Sequence, residues 1–224
     1  MIETGIVIAA FLITFVSARF LKQRTKEDVA SPKSSIRLRK LWEYVDNSLK
    51  QNRFRGAERA LLSILRLDYK NTAAYNRLGM LYAKQKNYED AVECFEIASG
   101  LAPTIASLYN LGLVYMEQKN YKQAAISFER VIDLEPTAKR YIAYAKVHEL
   151  LGNTKRVVDA LEKAVAQEPT KQNLELLAQG YEKEHETEKL QATQEQIATL
   201  RAEEMLTKQV KQAETRKSHN TQQL

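Results

Sequence analysis

Hydrophobic and polar positions follow two regimes along the chain. From Thr4 to Ala18, fifteen consecutive residues are uncharged and mostly Ile, Val, Ala, Phe or Leu, and Phe20 and Leu21 carry the run past Arg19. The stretch is apolar all round rather than along one stripe, which is the pattern of a helix surrounded by lipid. At 1.5 Å rise per residue, Met1 to Leu21 spans about 31 Å, roughly one hydrocarbon core, provided that Arg19 snorkels to the interface. From about residue 36 the apolar positions fall instead into short helical stretches separated by polar turns. Beyond Thr187 the pattern becomes a long charged helix with Leu190, Ile197, Leu200, Leu206 and Val210 as its apolar positions.

These shifts predict five segments. Residues 1–24 form a transmembrane anchor with a basic collar, and 25–35, polar with a Ser-Pro break, form a linker. Residues 36–186 form the helical domain, 187–214 a long C-terminal helix, and 215–224 a disordered tail. The long helix reads either as a cap on the domain or as a coiled-coil seam, and Glu204 interrupts the heptad that the seam requires.

Charge sets the expected orientation. The chain carries 34 Lys and Arg against 28 Asp and Glu, a formal net charge of +6. Residues 1–40 hold eight of the basic groups and three of the acids, so residues 41–224 are nearly neutral at +1. The excess lies beside the apolar run and follows it, which argues for topology and anionic lipid rather than for a nucleic-acid face, and no nucleic-acid partner is expected. By the positive-inside rule the N-terminus lies outside and the bulk of the chain in the cytoplasm. The competing reading takes Val16-Ser17-Ala18 as a signal-peptide cleavage site, which would release an exported, periplasmic binding protein.

Within 36–186 the chain repeats itself. Tyr75, Leu78, Gly79, Tyr82, Ala91, Phe95, Ala98 and Pro103 recur 33 residues on as Leu108, Leu111, Gly112, Tyr115, Ala124, Phe128, Val131 and Pro136. A further step gives Tyr141, Tyr144, Ala145, His148, Val157, Leu161, Ala164 and Pro169. A weaker copy precedes them (Leu41, Tyr44, Val45, Ser48, Ala57, Leu61, Ile64, Tyr69), and a first helix follows (Leu174, Leu177, Ala178, Tyr181) before the pattern fails. Small residues at one phase let two antiparallel helices cross closely, and Tyr82 and Phe95 fill the space around the crossing. Asn87, Asn120 and Asn153 share a phase between helices, where Asn tolerates turn geometry. Pro-Thr recurs at 103–104, 136–137 and 169–170, the Pro ending one helix and the Thr placed to cap the next.

This signature resembles the tetratricopeptide-repeat (TPR) family closely. The resemblance implies an all-α, right-handed helical solenoid of about four repeats with a degenerate cap, here preceded by a single transmembrane helix. It also implies a protein-binding groove lined by the first helix of each repeat. Carried over position by position, the candidate groove residues are Trp42, Asn76, Met80, Tyr109, Asn110, Leu113, Met116, Lys139 and Ile142, a partly apolar surface centred on Tyr109 that suits an extended peptide or an amphipathic helix. The bland alternative is that some of them only pack against neighbouring helices. Of the clamp with which some relatives grip chaperone tails, only Asn110 and Lys139 match, so that partner is not expected.

Nothing in the sequence suggests an enzyme. His148 and His185 lack the two-His spacing of a zinc protease, and there is no Gly-rich phosphate loop. Cys94 is the single cysteine, so no internal disulfide or structural zinc site is possible from it, and no cofactor or small-molecule substrate is expected. The function expected is a membrane-tethered scaffold or adaptor that binds a protein or peptide.

Overall fold

The computed structural model describes residues 32–221, and all of it is helix and turn. The expected anchor at 1–24 lies outside the described residues. Among the described residues no helix is long and apolar enough to cross a membrane.

Two compact units divide the chain after Pro103. In the first, α1 (Pro32–Lys50), α2 (Phe54–Leu67), α3 (Thr72–Lys84) and α4 (Tyr88–Leu101) follow one another. α1 packs on α2, α2 on α3 and α3 on α4. In the second, α5 (Ile105–Glu117), α6 (Tyr121–Leu134), α7 (Ala138–Leu150), α8 (Thr154–Gln167) and α9 (Lys171–Glu184) continue the alternation, and α10 (Thr187–Thr221) ends it. Two expected boundaries move. The first helix begins at Pro32, inside the expected linker, because proline suits the first helical position, where no N–H is needed. The last runs to Thr221 instead of 214, since nothing after Thr187 is Gly or Pro and the tail offers no breaker.

Burial follows the repeat. Val45, Leu61, Ile64, Leu78 and Leu81 close the core of the first unit, with Leu38, Leu41 and Phe54 packed against it. Around α8 in the second, Ala145, Val157, Val158, Leu161, Leu177 and Tyr181 do the same. A β-carbon placed on Gly79 would come within 2.9 Å of the Phe95 ring, and one on Gly112 within 2.9 Å of Phe128. The glycines therefore set how closely α3 crosses α4 and α5 crosses α6. The tyrosine one turn further on ties helices together by its hydroxyl: Tyr82 donates to Glu58 at 2.9 Å, and Tyr181 to Glu162 at 2.8 Å.

The turn within each helix pair has one geometry, repeated five times. Backbone N–H groups of Arg53, Asn87, Asn120, Asn153 and Glu186 donate to the carbonyls of Ser48, Tyr82, Tyr115, His148 and Tyr181, five residues back. This six-to-one bond closes the first helix and needs a left-handed residue just before its donor. Asn52, Lys86, Lys119, Gly152 and His185 supply it, with φ between 54° and 72°. The recurrent asparagines thus sit one position after the strained residue, and Asn87, Asn120 and Asn153 lead into their helices with φ of −85°, −85° and −94°. Between pairs, Thr104 and Thr170 cap α5 and α9 through their hydroxyls, Thr104 reciprocally with Ser107. Thr137 departs from the expected cap, because the Arg140 guanidinium occupies its oxygen at 2.7 Å.

The fifth pair is better formed than its sequence suggests. α9 is a complete first helix, and α10 packs against it through half-buried Leu190 and buried Thr193 and Ile197. Arg201 reaches back to Glu175 at 2.9 Å. Met205 and Leu206 lie past this contact and are exposed.

Candidate binding grooves

Each unit presents first-helix side chains on one face, and the nine candidate residues divide between the units. In the first, Trp42 is half-buried against the core, and the Arg77 guanidinium lies 4.9 Å from the centre of its ring. Arg77 also pairs with Asp46, one turn along α1 from Trp42. The indole is thereby fixed at a cationic, hydrogen-bonding edge. Asn76, the residue before Arg77, has a buried amide oxygen with no hydrogen-bond partner. Met80 follows one turn along α3 and is 55% exposed.

In the second unit, Tyr109 sets its ring edge-on to Phe128 at 5.3 Å and is half-buried by that contact. Phe128 itself fills the space above Gly112, so the glycine that brings α5 and α6 together also anchors the groove tyrosine. Asn110 and Met116 are half-buried, while Leu113 and Lys139 are exposed. None of these five lines the apolar cavity that α7, α8 and α9 form. That cavity, about 310 Å³, has Ile142, Ala145, Val157, Leu161, Leu176 and Gly180 as its apolar surface. Lys146, Glu149, Gln179 and Lys183 complete its lining, and Lys183 pairs with Glu149. An apolar floor beneath a few oriented polar groups is the general form of a side-chain pocket. Helix α10 contributes nothing to its lining.

Ile142 is the one residue shared between this cavity and the nine expected from sequence. Leu176, Gln179 and Lys183 occupy the sixth, ninth and thirteenth positions of the fifth unit, the phases that carry groove residues in earlier units. Extending the register one unit further would have named them. Val157 and Leu161 belong to the repeat signature and read as core, yet in the structure they also form the pocket floor.

The residues set aside as non-catalytic sit in packed surroundings. His148 is 3% exposed and stacks edge-on to Tyr144 at 4.3 Å. Its Nδ1 lies 3.3 Å from the Asn153 amide nitrogen and its Nε2 has no partner. Burial, aided by Arg156, holds its pKa below the usual histidine value, with Glu129 acting the other way. Cys94 is buried, and burial together with Glu93 and Asp90 pushes its thiol up to about 12. Among the described residues no group of His, Cys, Asp and Glu is placed to hold a metal ion.

Comparison with known proteins agrees with this architecture. A family model described as tetratricopeptide repeat matches residues 71–135. Among curated proteins none matches the chain. Among solved structures, a crystal structure of MamA protein superimposes with a TM-score of 0.63 at 20% identity, covering 71% of this chain and 89% of that one. A second MamA crystal structure gives 0.63 at 22% identity, with 73% and 96% covered. MamA 41-end from Desulfovibrio magneticus RS-1 gives 0.62 at 19% identity, with 73% and 94% covered. At these identities the likeness is one of fold.

Proposed function

We propose that the chain, which matches a tetratricopeptide-repeat family model over residues 71–135, is a membrane-tethered scaffold that takes a partner peptide or helix on its first-helix faces. The observation that carries the reading is the apolar cavity around Ile142 and Leu176, rimmed by Lys146, Lys183 and Glu149. Its size suits one or two apolar side chains of a partner segment, and the paired charges at the rim suit that segment's polar backbone. In the other unit, Trp42 under Arg77 and the exposed Met80 offer a second contact of the same mixed kind.

Tethering rests on the sequence. The uncharged run Thr4–Ala18 supplies the anchor, and the basic residues after it favour a cytoplasmic position for the repeats. C-terminal fusions test the orientation: green fluorescence without alkaline phosphatase activity is expected. The reverse result would establish the exported form that Val16-Ser17-Ala18 suggests.

For the groove, a photo-crosslinker at Gln179 should trap a partner in the native membrane, and Ile142→Asp or Leu176→Asp should abolish that adduct while the chain still shows a cooperative helical melt. An adduct that survives both substitutions would sink the assignment.

A further inference from the structure

The chain's positive charge has a different centre once it is divided by folded elements. Residues 32–70, which form α1, α2 and the turn after them, contain ten Lys and Arg against four Asp and Glu. Their net +6 equals that of the whole chain. On α2 three of the basic groups, against the single acid Glu58, line up on one face. Arg55, Arg59, Leu62 and Arg66 fall at spacings of four, three and four, within about 60° of arc on the helix, directly opposite the buried Ala57, Ala60, Leu61 and Ile64.

All four stripe residues are exposed. Among the described residues none of the three arginines makes an ion pair. Arg59 spends one N–H on the Arg55 carbonyl, and the one carboxylate of α2, Glu58, accepts from Tyr82. Tyr69, 68% exposed, and Lys70 extend the surface beyond the helix end. An ordinary solvated helix face mixes both signs. The same register in α4 carries Glu89, Glu93 and Glu96, so the basic face belongs to the first hairpin and not to the repeat.

We propose that the α1–α2 hairpin rests on an anionic lipid surface through the Arg55, Arg59, Leu62 and Arg66 stripe. Arginines interleaved with an exposed leucine and a tyrosine fit the headgroup layer, where guanidinium groups meet phosphates and the apolar side chains reach the acyl boundary. The choice of lipid over another polyanion rests on the tether reading, since residues 4–18 would hold this hairpin at the membrane.

The test uses the full chain with Leu62→Cys in a Cys94→Ser background, labelled with an environment-sensitive dye and mixed with phosphatidylcholine vesicles with or without phosphatidylglycerol. The dye emission should shift to the blue and be quenched by spin-labelled lipid only where phosphatidylglycerol is present, and about 0.5 M salt should reverse both effects. Replacing Arg55, Arg59 and Arg66 together by Gln should weaken the response at least about tenfold while preserving the melt. Equal emission with both vesicle types overturns the proposal. So does a response to single-stranded RNA in place of lipid, or one that follows protein concentration without lipid, which would assign the stripe to nucleic acid or to the acidic face of a second copy. Failure of the tether appears separately, as chains that do not float with phosphatidylcholine vesicles, and the comparison of lipid compositions still reads the stripe in that case.

Discussion

A β-carbon on Gly79 would lie 2.9 Å from two atoms of the Phe95 ring, closer than unstrained packing permits, and Phe95 is itself 1% exposed with no room to retreat. Gly79→Ala should therefore lower stability by about 1–3 kcal/mol despite the better helix propensity of alanine, and Gly79→Leu should cost more. Gly100 lies near the end of α4 with nothing within 4 Å, so Gly100→Ala should raise stability by about 0.5–1 kcal/mol. Thermal melts followed by circular dichroism compare the three, and a Gly79→Ala midpoint at or above that of the parent contradicts the packing role.

The repeated turn makes a second pair of opposite predictions. Lys119 holds φ at 59° and Gly152 at 72° in the same position of successive repeats. Lys119→Gly should stabilise by up to about 1 kcal/mol, because glycine enters the left-handed region without a steric cost, and Gly152→Ala should destabilise by a similar amount. Denaturant midpoints measure both.

Acid should weaken the second unit through His148. Its folded pKa lies below the unfolded value of 6.5, so above that value the group leaves stability unchanged. As pH falls through it, the unfolded chain takes up a proton that the buried ring resists, and stability drops. Between about pH 7 and 5 the midpoint of the parent should fall further than that of His148→Phe. Parallel curves would assign the loss to other groups.

Cys94 should resist thiol reagents in the folded protein. With its pKa near 12 and its sulfur buried, little thiolate forms and access is closed. Labelling with a maleimide should proceed only at the rate of unfolding and become rapid in denaturant; prompt reaction of the native chain would show that α4 opens locally.

Groove residues should separate binding from folding. Leu176 is half-buried in the cavity wall and Met80 is exposed. Leu176→Asp should abolish the crosslink from Gln179 with a stability loss of no more than about 2 kcal/mol, and Met80→Asp should cost less than about 0.5 kcal/mol. A crosslink lost only in variants that also unfold would mean that the cavity is part of the core.

The helix pairs, their phase and their crossing points could be read from the residues alone. Gly79 and Phe95 recur as Gly112 and Phe128 because two helices can approach closely only where one lacks a side chain, and that requirement leaves a fixed spacing in the chain. The same spacing puts His148 at the phase of Tyr82 and Tyr115. Other features depended on which groups meet in space. Lys86 and Lys119 take the left-handed turn although nothing local favours lysine there, because the bond from the next N–H back to Tyr82 or Tyr115 closes the helix whatever side chain stands at that position. Thr137 loses its cap to Arg140, a competition invisible in the Pro-Thr pattern. The cavity at Ile142 and Leu176 needed α9 to pack on α8 after the repeat signature had faded. The arginine stripe on α2 was present in the sequence from the start, but only the burial of Ala57, Leu61 and Ile64 decided that it faces outward.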